Sequence, residues 1–162
     1  VQPAPAPDWS IDLESPFDAR RVEALVDAAF GPGRFGKTAE RLREGSRPAL
    51  SLVARHGRDV VGTVRLWPVR IGGEPALFLG PVAVDEAVRG EGVGAALVEA
   101  ALERARAGGR TTVLLVGDMP YFGRFGFEVA REVELPGPVD RRRVLIARLD
   151  GAEPPKGPVV RG

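Results

Sequence analysis

Cysteine is absent from the 162 residues. That excludes disulfides, zinc–thiolate sites and a cysteine nucleophile together. Histidine occurs once, at His56, so a single chain cannot assemble a multi-histidine metal site. No apolar run approaches the ~20 residues that a membrane-spanning helix needs. The formal net charge is only +1, which gives no bulk attraction to nucleic acid or to an anionic membrane surface. The first residues, VQPAPAPDWS, have neither a basic start nor an apolar stretch and do not read as a signal peptide. The expected location is cytoplasmic. No internal repeat is visible.

What is present is ordinary globular composition. Apolar residues make up 44%, and the length suits one domain with a real core. Alternating Pro and Ala predict an extended, poorly ordered arm over residues 1–15. The folded domain is expected over residues 16–150. The Pro- and Gly-rich tail, residues 151–162, reads as loose.

Inside those limits the apolar period changes twice. Val22, Leu25, Val26, Ala29 and Phe30 recur at helical spacing. Asp18 is placed to cap that helix and Gly31 to end it. A short second helix is expected over residues 37–45. Residues 49–55, 60–69 and 76–84 read as strands joined by turns at Gly57 and at Gly72 and Gly73. Links that short demand an antiparallel meander. Val93, Leu97, Ala100, Ala101 and Ala105 then lie on one face of a helix. The apolar run at residues 111–116 has the character of a strand buried on both sides. Strand, helix and strand in succession form a right-handed unit with parallel strands. A short helix over residues 119–125, a strand from Phe127 and a last strand over residues 143–149 complete the reading. The fold class is α/β, a mixed sheet flanked by helices.

The string RGEGVG, residues 89–94, stands between a strand and a helix. Glycines there permit positive φ and close approach of a ligand to the backbone. The first amides of a helix have no internal partner and carry the positive end of its dipole. Such a turn is an anion site suited to a pyrophosphate, and Arg89 adds a full charge.

The segment LGPVAVDEAVRGEGVGAALVEAAL resembles the signature of the GNAT superfamily of N-acetyltransferases. In that signature a strand leads into Arg/Gln-x-x-Gly-x-Gly/Ala, and Arg89, Gly92 and Gly94 fill those places. The later string YFGRFGFEVA resembles the superfamily's second mark, an aromatic pair, a basic residue and then a hydrophobic-Gly-Phe. VGDMPYFGRFGF is similar to the YhbS-like bacterial subgroup. The resemblance runs over residues 20–149. It implies a GNAT-like fold, with the strands at residues 79–84 and 111–116 splayed apart at their C-terminal ends. It implies acetyl-CoA as co-substrate, with no metal. The pantetheine arm would lie along Val82, Ala83 and Val84. The pyrophosphate would sit on the amides of Arg89, Gly90, Glu91, Gly92, Val93, Gly94 and Ala95, with Phe122 and Arg124 also at the cofactor. The implied reaction is direct attack of a neutral amine on the thioester. The implied partner is a small-molecule or peptide amine, with a homodimer as a compatible assembly and no role for nucleic acid or membrane.

One position departs from the pattern. Many GNAT enzymes carry a Tyr at the second aromatic of the pair, where it protonates the departing thiolate. Phe122 holds that place and has no hydroxyl. Tyr121 or a water takes over; the alternative for Tyr121 is a packed aromatic with its hydroxyl satisfied by the backbone. Phe122 also admits a rival reading, a CoA-binding sensor without catalysis. No general base stands out among Asp85, Glu86, Glu74, His56 and Asp118. Asp85, Glu86 and Glu74 are expected near the cleft.

A rival string must be weighed. Residues 31–38, GPGRFGKT, satisfy the P-loop expression G-x-x-x-x-G-K-[ST], and VLLVGD imitates its acidic partner strand. That would make the chain a nucleotide-triphosphate enzyme. A P-loop follows a strand, which launches it toward the phosphates, whereas the segment before Gly31 has a helical period. Arg141, Arg142 and Arg143 read as a solvated strand start rather than a nucleic-acid contact.

Overall fold

Three apolar runs in residues 50–84, separated by two glycine turns, fold as the middle of the sheet. In a computed structural model, which describes residues 8–31 and 38–162, they are β2 (Leu50–His56), β3 (Asp59–Ile71) and β4 (Glu74–Val84). They pair antiparallel as a meander. The turns use Gly57 at φ 65° and Gly72 and Gly73 at φ 55° and 89°, conformations that side chains with a Cβ resist.

The helices cover both faces of this sheet. On one side α1 (Ala19–Phe30) buries Val22, Leu25 and Val26 against Val53, Val60 and Ala83. On the other, α3 (Val93–Ala107) buries Val93, Leu97, Val98, Ala101, Leu102 and Ala105 against Leu52, Val64, Leu79 and Val113. The approach of α3 to β3 is close. A methyl on Gly62 would come within 2.9 Å of the Leu97 side chain. α2 is a single turn, Thr38–Arg41, shorter than the expected helix over residues 37–45.

After α3 the chain returns as β5 (Thr112–Val116), parallel to β4. It continues through α4 (Met119–Phe122) and a 3₁₀ turn, Gly123–Phe125. Then come β6 (Glu128–Val129), β7 (Val133–Glu134) and β8 (Val144–Arg148). β8 pairs antiparallel with both β5 and β6.

Both ends of the chain differ from expectation. Ser10–Leu13 is a strand, β1, antiparallel to β2. The tail is not wholly loose either. Gly157–Arg161 forms β9, antiparallel to the far end of β3 and parallel to β7. β8 is therefore not the last strand. Main-chain hydrogen bonding to a waiting edge orders segments whose Pro and Gly content alone argues for looseness. Asp18 also differs. It stands before α1 but makes no capping bond there; it accepts two bonds from Arg55, at 2.7 and 2.8 Å. That pairing holds its carboxyl at about 2, well below the usual value.

β4 contains a bulge that matters for the site. Leu66 stands opposite Leu79 and Val64 opposite Val82, so Arg65 faces both Gly80 and Pro81. The extra residue shifts the strand's alternation by one. Leu77 and Leu79 pack on the α3 side, and beyond the bulge Val82 and Val84 do too. A regular strand would have turned Val82 to the opposite face.

Candidate functional site

β4 and β5 touch over a short stretch only. Their register contains Leu77 with Val113 and Phe78 with Leu114, although β4 runs on to Val84 and β5 to Val116. Past Phe78 the two strands part, leaving a gap at their C-terminal ends. The edge β4 presents to this gap follows from its pairing with β3. Asp85 donates its amide to the Val61 carbonyl at 2.8 Å. Alternate residues of a strand turn their backbone groups to the same neighbour, so Ala83 also faces β3, opposite Thr63. Val82 and Val84 therefore turn their N–H and C=O groups into the gap. Ala83 contributes no backbone group there, and its methyl packs under α1.

The loop between β4 and α3 is built in two steps. Asp85 caps the 3₁₀ turn Glu86–Val88 by accepting from the Ala87 amide at 2.9 Å. The amides of Arg89 and Glu91 donate to Glu86 and Val88, each at 3.2 Å. These two of the expected amides are already engaged. Gly90 and Gly92 follow in left-handed conformations, φ 84° and 86°. Inside α3, Ala96 donates to the Gly92 carbonyl, so the amides of Val93, Gly94 and Ala95 precede the helix's first internal bond. They point out of the helix end, beside the exposed Arg89 side chain, which has Glu86 at 3.8 Å.

The aromatic pair splits its roles. Phe122 packs at the edge of the core near Phe127, ring centres 6.0 Å apart. Its ring lies so close to Gly117 that a methyl there would sit 2.4 Å from it. Tyr121 points elsewhere. A methyl built on Gly94 would lie 3.4 Å from the Tyr121 hydroxyl oxygen and 3.5 Å from Val84. The single tyrosine thus places its hydroxyl over the first turn of α3, beside the β4 edge. Arg124 stacks its guanidinium 4.4 Å from the Tyr121 ring centre. The hollow between β4 and α4 is lined by Val82, Val84, Arg89, Gly94, Tyr121 and Phe122.

A second hollow continues from the first toward α2, sharing Phe30, Val82 and Phe122. Its floor includes Phe78 and Leu115, and its rim carries Glu40, Arg43, Asp118 and Arg143. Glu40 and Arg43 pair at 3.0 Å and are both largely covered. Asp118 pairs with Arg143 at 3.2 Å. No pattern of residues singles out Glu40 or Arg43, because α2 is too short to show a period.

The other candidate acids divide clearly. Asp85 lies at the end of β4, and the Ala87 amide and then Arg21 hold its carboxyl below the ordinary value. Glu86 is largely exposed. Glu74 opens β4 at the end opposite Val84, about 30 Å away by strand rise; it is not near the cleft. The gap opens at the C-terminal end of β4, and Glu74 stands at the other end of the strand. His56 is exposed at the end of β2.

In the P-loop string, Gly31 closes α1 at φ 69°, and residues 32–37, including Phe35 and Lys37, lie outside the described residues. The element before Gly31 is a helix, not a strand.

With this geometry, comparison with known proteins is specific. Residues 19–127 match the acetyltransferase (GNAT) family. The chain is 36% identical over 128 residues to the uncharacterized N-acetyltransferase YhbS of Escherichia coli K12, covering 77% of each. It is 35% identical to the uncharacterized N-acetyltransferase YjhQ of the same organism, covering 74% of this chain and 70% of that one. The crystal structure of E. coli YhbS in complex with CoA superposes with a TM-score of 0.84 at 31% identity, covering 100% of this chain and 94% of that one. A GNAT family acetyltransferase from Brucella melitensis, in complex with acetyl-CoA, gives a TM-score of 0.75 at 30% identity over 95% and 96% of the chains.

Proposed function

Because this chain belongs to the GNAT family of acetyltransferases, we propose that it is an acetyl-CoA-dependent N-acetyltransferase that delivers the acetyl group to a primary amine by direct attack. The observation that carries this reading is one gap lined by two complementary features. Among the described residues, a free strand edge at Val82 and Val84 lies beside the bare amides of Val93, Gly94 and Ala95. An arm with amide groups suits the first, and a pyrophosphate suits the second. Gly90 and Gly92 fit this use, since a Cβ at either would meet nothing within 4 Å and the loop stays open to a ligand.

When bound, the thioester supplies an acyl carbon open to amines and a thiolate that leaves readily. The chain's own residues do the rest. Val82 and Val84 align the arm and offer an N–H to the developing oxyanion. Arg89 and the α3 amides hold the anionic end. Phe122 gives the gap an apolar wall and keeps water from it. Tyr121, with its hydroxyl at the mouth between Gly94 and Val84, supplies the proton to the leaving sulfur. The acceptor enters through the hollow rimmed by Glu40 and Arg143. The carboxylates there are tied to arginines, so water carries the amine's proton outward.

Phe122, standing where many family members have tyrosine, favours a second reading: a CoA-binding sensor without turnover. Calorimetric titration with acetyl-CoA, followed by CoA release in the presence of a broad amine panel, separates the two. Binding with release supports the enzyme. Binding without release for any amine supports the sensor. No binding of acetyl-CoA contradicts both.

A further inference from the structure

The bulge in β4 is held by a bond that the chemistry above does not use. The Trp67 indole N–H donates to the Gly80 carbonyl at 2.6 Å. Trp67 is only 8% exposed and packs with Phe78, Leu114 and Ile146 on the face opposite α3. Gly80, at φ 139°, is one of the two β4 residues facing Arg65. The bulge takes its carbonyl out of the regular ladder, into a buried place where an unpaired oxygen is costly. The indole is its partner. Pro81, next in the chain, has no amide to donate.

We propose that Trp67 is a positioning residue. By capturing the Gly80 carbonyl it fixes where β4 bulges, and so which backbone amides of that strand face the cofactor gap. Register makes this consequential, because losing the extra residue reverses every side chain and every edge group beyond it, and moving it reverses those it passes. With the bulge at Gly80 and Pro81, Val82 and Val84 face the gap and Ala83 faces β3. With the bulge displaced past Val82, Val82 would turn its amide to β3. The indole lies on the far side of the sheet from α3, so its effect reaches the reacting carbonyl only through the backbone. This inference rests on the acetyl-CoA reading above.

The test uses the full chain and amide resonances. In the wild type, saturating acetyl-CoA shifts the amides of Val93, Gly94 and Ala95 and also that of Val82. It also moves the carbonyl resonance of [1-¹³C]acetyl-CoA downfield. In Trp67→Phe, which keeps an aromatic ring and loses the donor, the α3 amides shift as in the wild type. The Val82 response and the carbonyl shift fall to less than about half, as expected when an aligned donor is misplaced by a fraction of an ångström. If Trp67→Phe does not fold, a benzothiophene analogue at position 67 removes the N–H alone, and the same result is expected. A wild-type response at Val82 and at the carbonyl in either variant overturns the assignment. Silent α3 amides in the wild type overturn the acetyl-CoA reading, and this inference with it.

Discussion

Two glycine-rich strings in this chain invite the same ligand. Residues 31–38 satisfy a phosphate-loop expression in full, while residues 89–94 match a looser pattern. Their surroundings differ. The first string begins at the C-terminal end of α1, where Gly31 closes a helix. A helix presents carbonyls and partial negative charge at that end. The same string ends on α2, a single turn with little dipole to offer. The second lies between a strand and the N-terminus of α3, where bare amides and partial positive charge meet. A glycine string acquires an affinity for phosphate from the helix end it joins, more than from its own letters.

The largest expected effect strikes the second string. Gly92→Trp forces a bulky side chain onto a left-handed residue beside the free amides, and acetyl-CoA affinity falls at least ~100-fold, about 2.7 kcal/mol, by calorimetry. Next comes the helix leading into the first string. Asp18 has its carboxyl held at about 2 by Arg55. Its folded pKa lies below the unfolded one, so the stability it adds is complete above about pH 5 and lost as the pH falls toward 2. Asp18→Asn therefore costs roughly 2 kcal/mol at neutral pH, and thermal melts of the two proteins converge below about pH 2. Tyr121→Phe then lowers turnover about tenfold or more while acetyl-CoA affinity stays within about twofold; unchanged turnover removes Tyr121 from the chemistry. Arg89→Ala weakens acetyl-CoA roughly 3- to 10-fold at low salt, and the difference narrows as salt screens the exposed charge. The smallest effect is the most telling for the comparison. Lys37→Ala leaves acetyl-CoA affinity unchanged, and a marked loss would bring the first string into the site.

Much of this was legible in the residues. The meander, the parallel unit and the helix of Val93, Leu97, Ala101 and Ala105 follow from periods of two and 3.6, which are local. What was hidden is non-local. β1 and β9 lie in Pro-rich ends, and distant edges give them partners, β2 for β1 and both β3 and β7 for β9. The alternation of buried Val159 with exposed Val160 is a faint mark of β9. At the site, the loop was legible because phosphate binding depends on backbone and glycine. That Arg89 and Glu91 spend their amides on the preceding turn was not, since no pattern of side chains encodes it. Nor was the bulge at Gly80, although a Gly-Pro pair inside an apolar strand is a fair warning of one. Tyr121 reaches the cleft because adjacent helix residues point about 100° apart, and only coordinates show which of the pair meets Gly94.

The central claim is that the turn at Gly92, not the string at Gly31, receives the anionic cofactor. Parallel calorimetric titrations of the wild type, Gly92→Trp and Lys37→Ala with acetyl-CoA and with magnesium ATP test it most directly. Acetyl-CoA should bind the wild type and Lys37→Ala alike and fail with Gly92→Trp, while magnesium ATP binds none of the three. Undiminished acetyl-CoA binding by Gly92→Trp, or ATP binding that Lys37→Ala abolishes, would contradict the account.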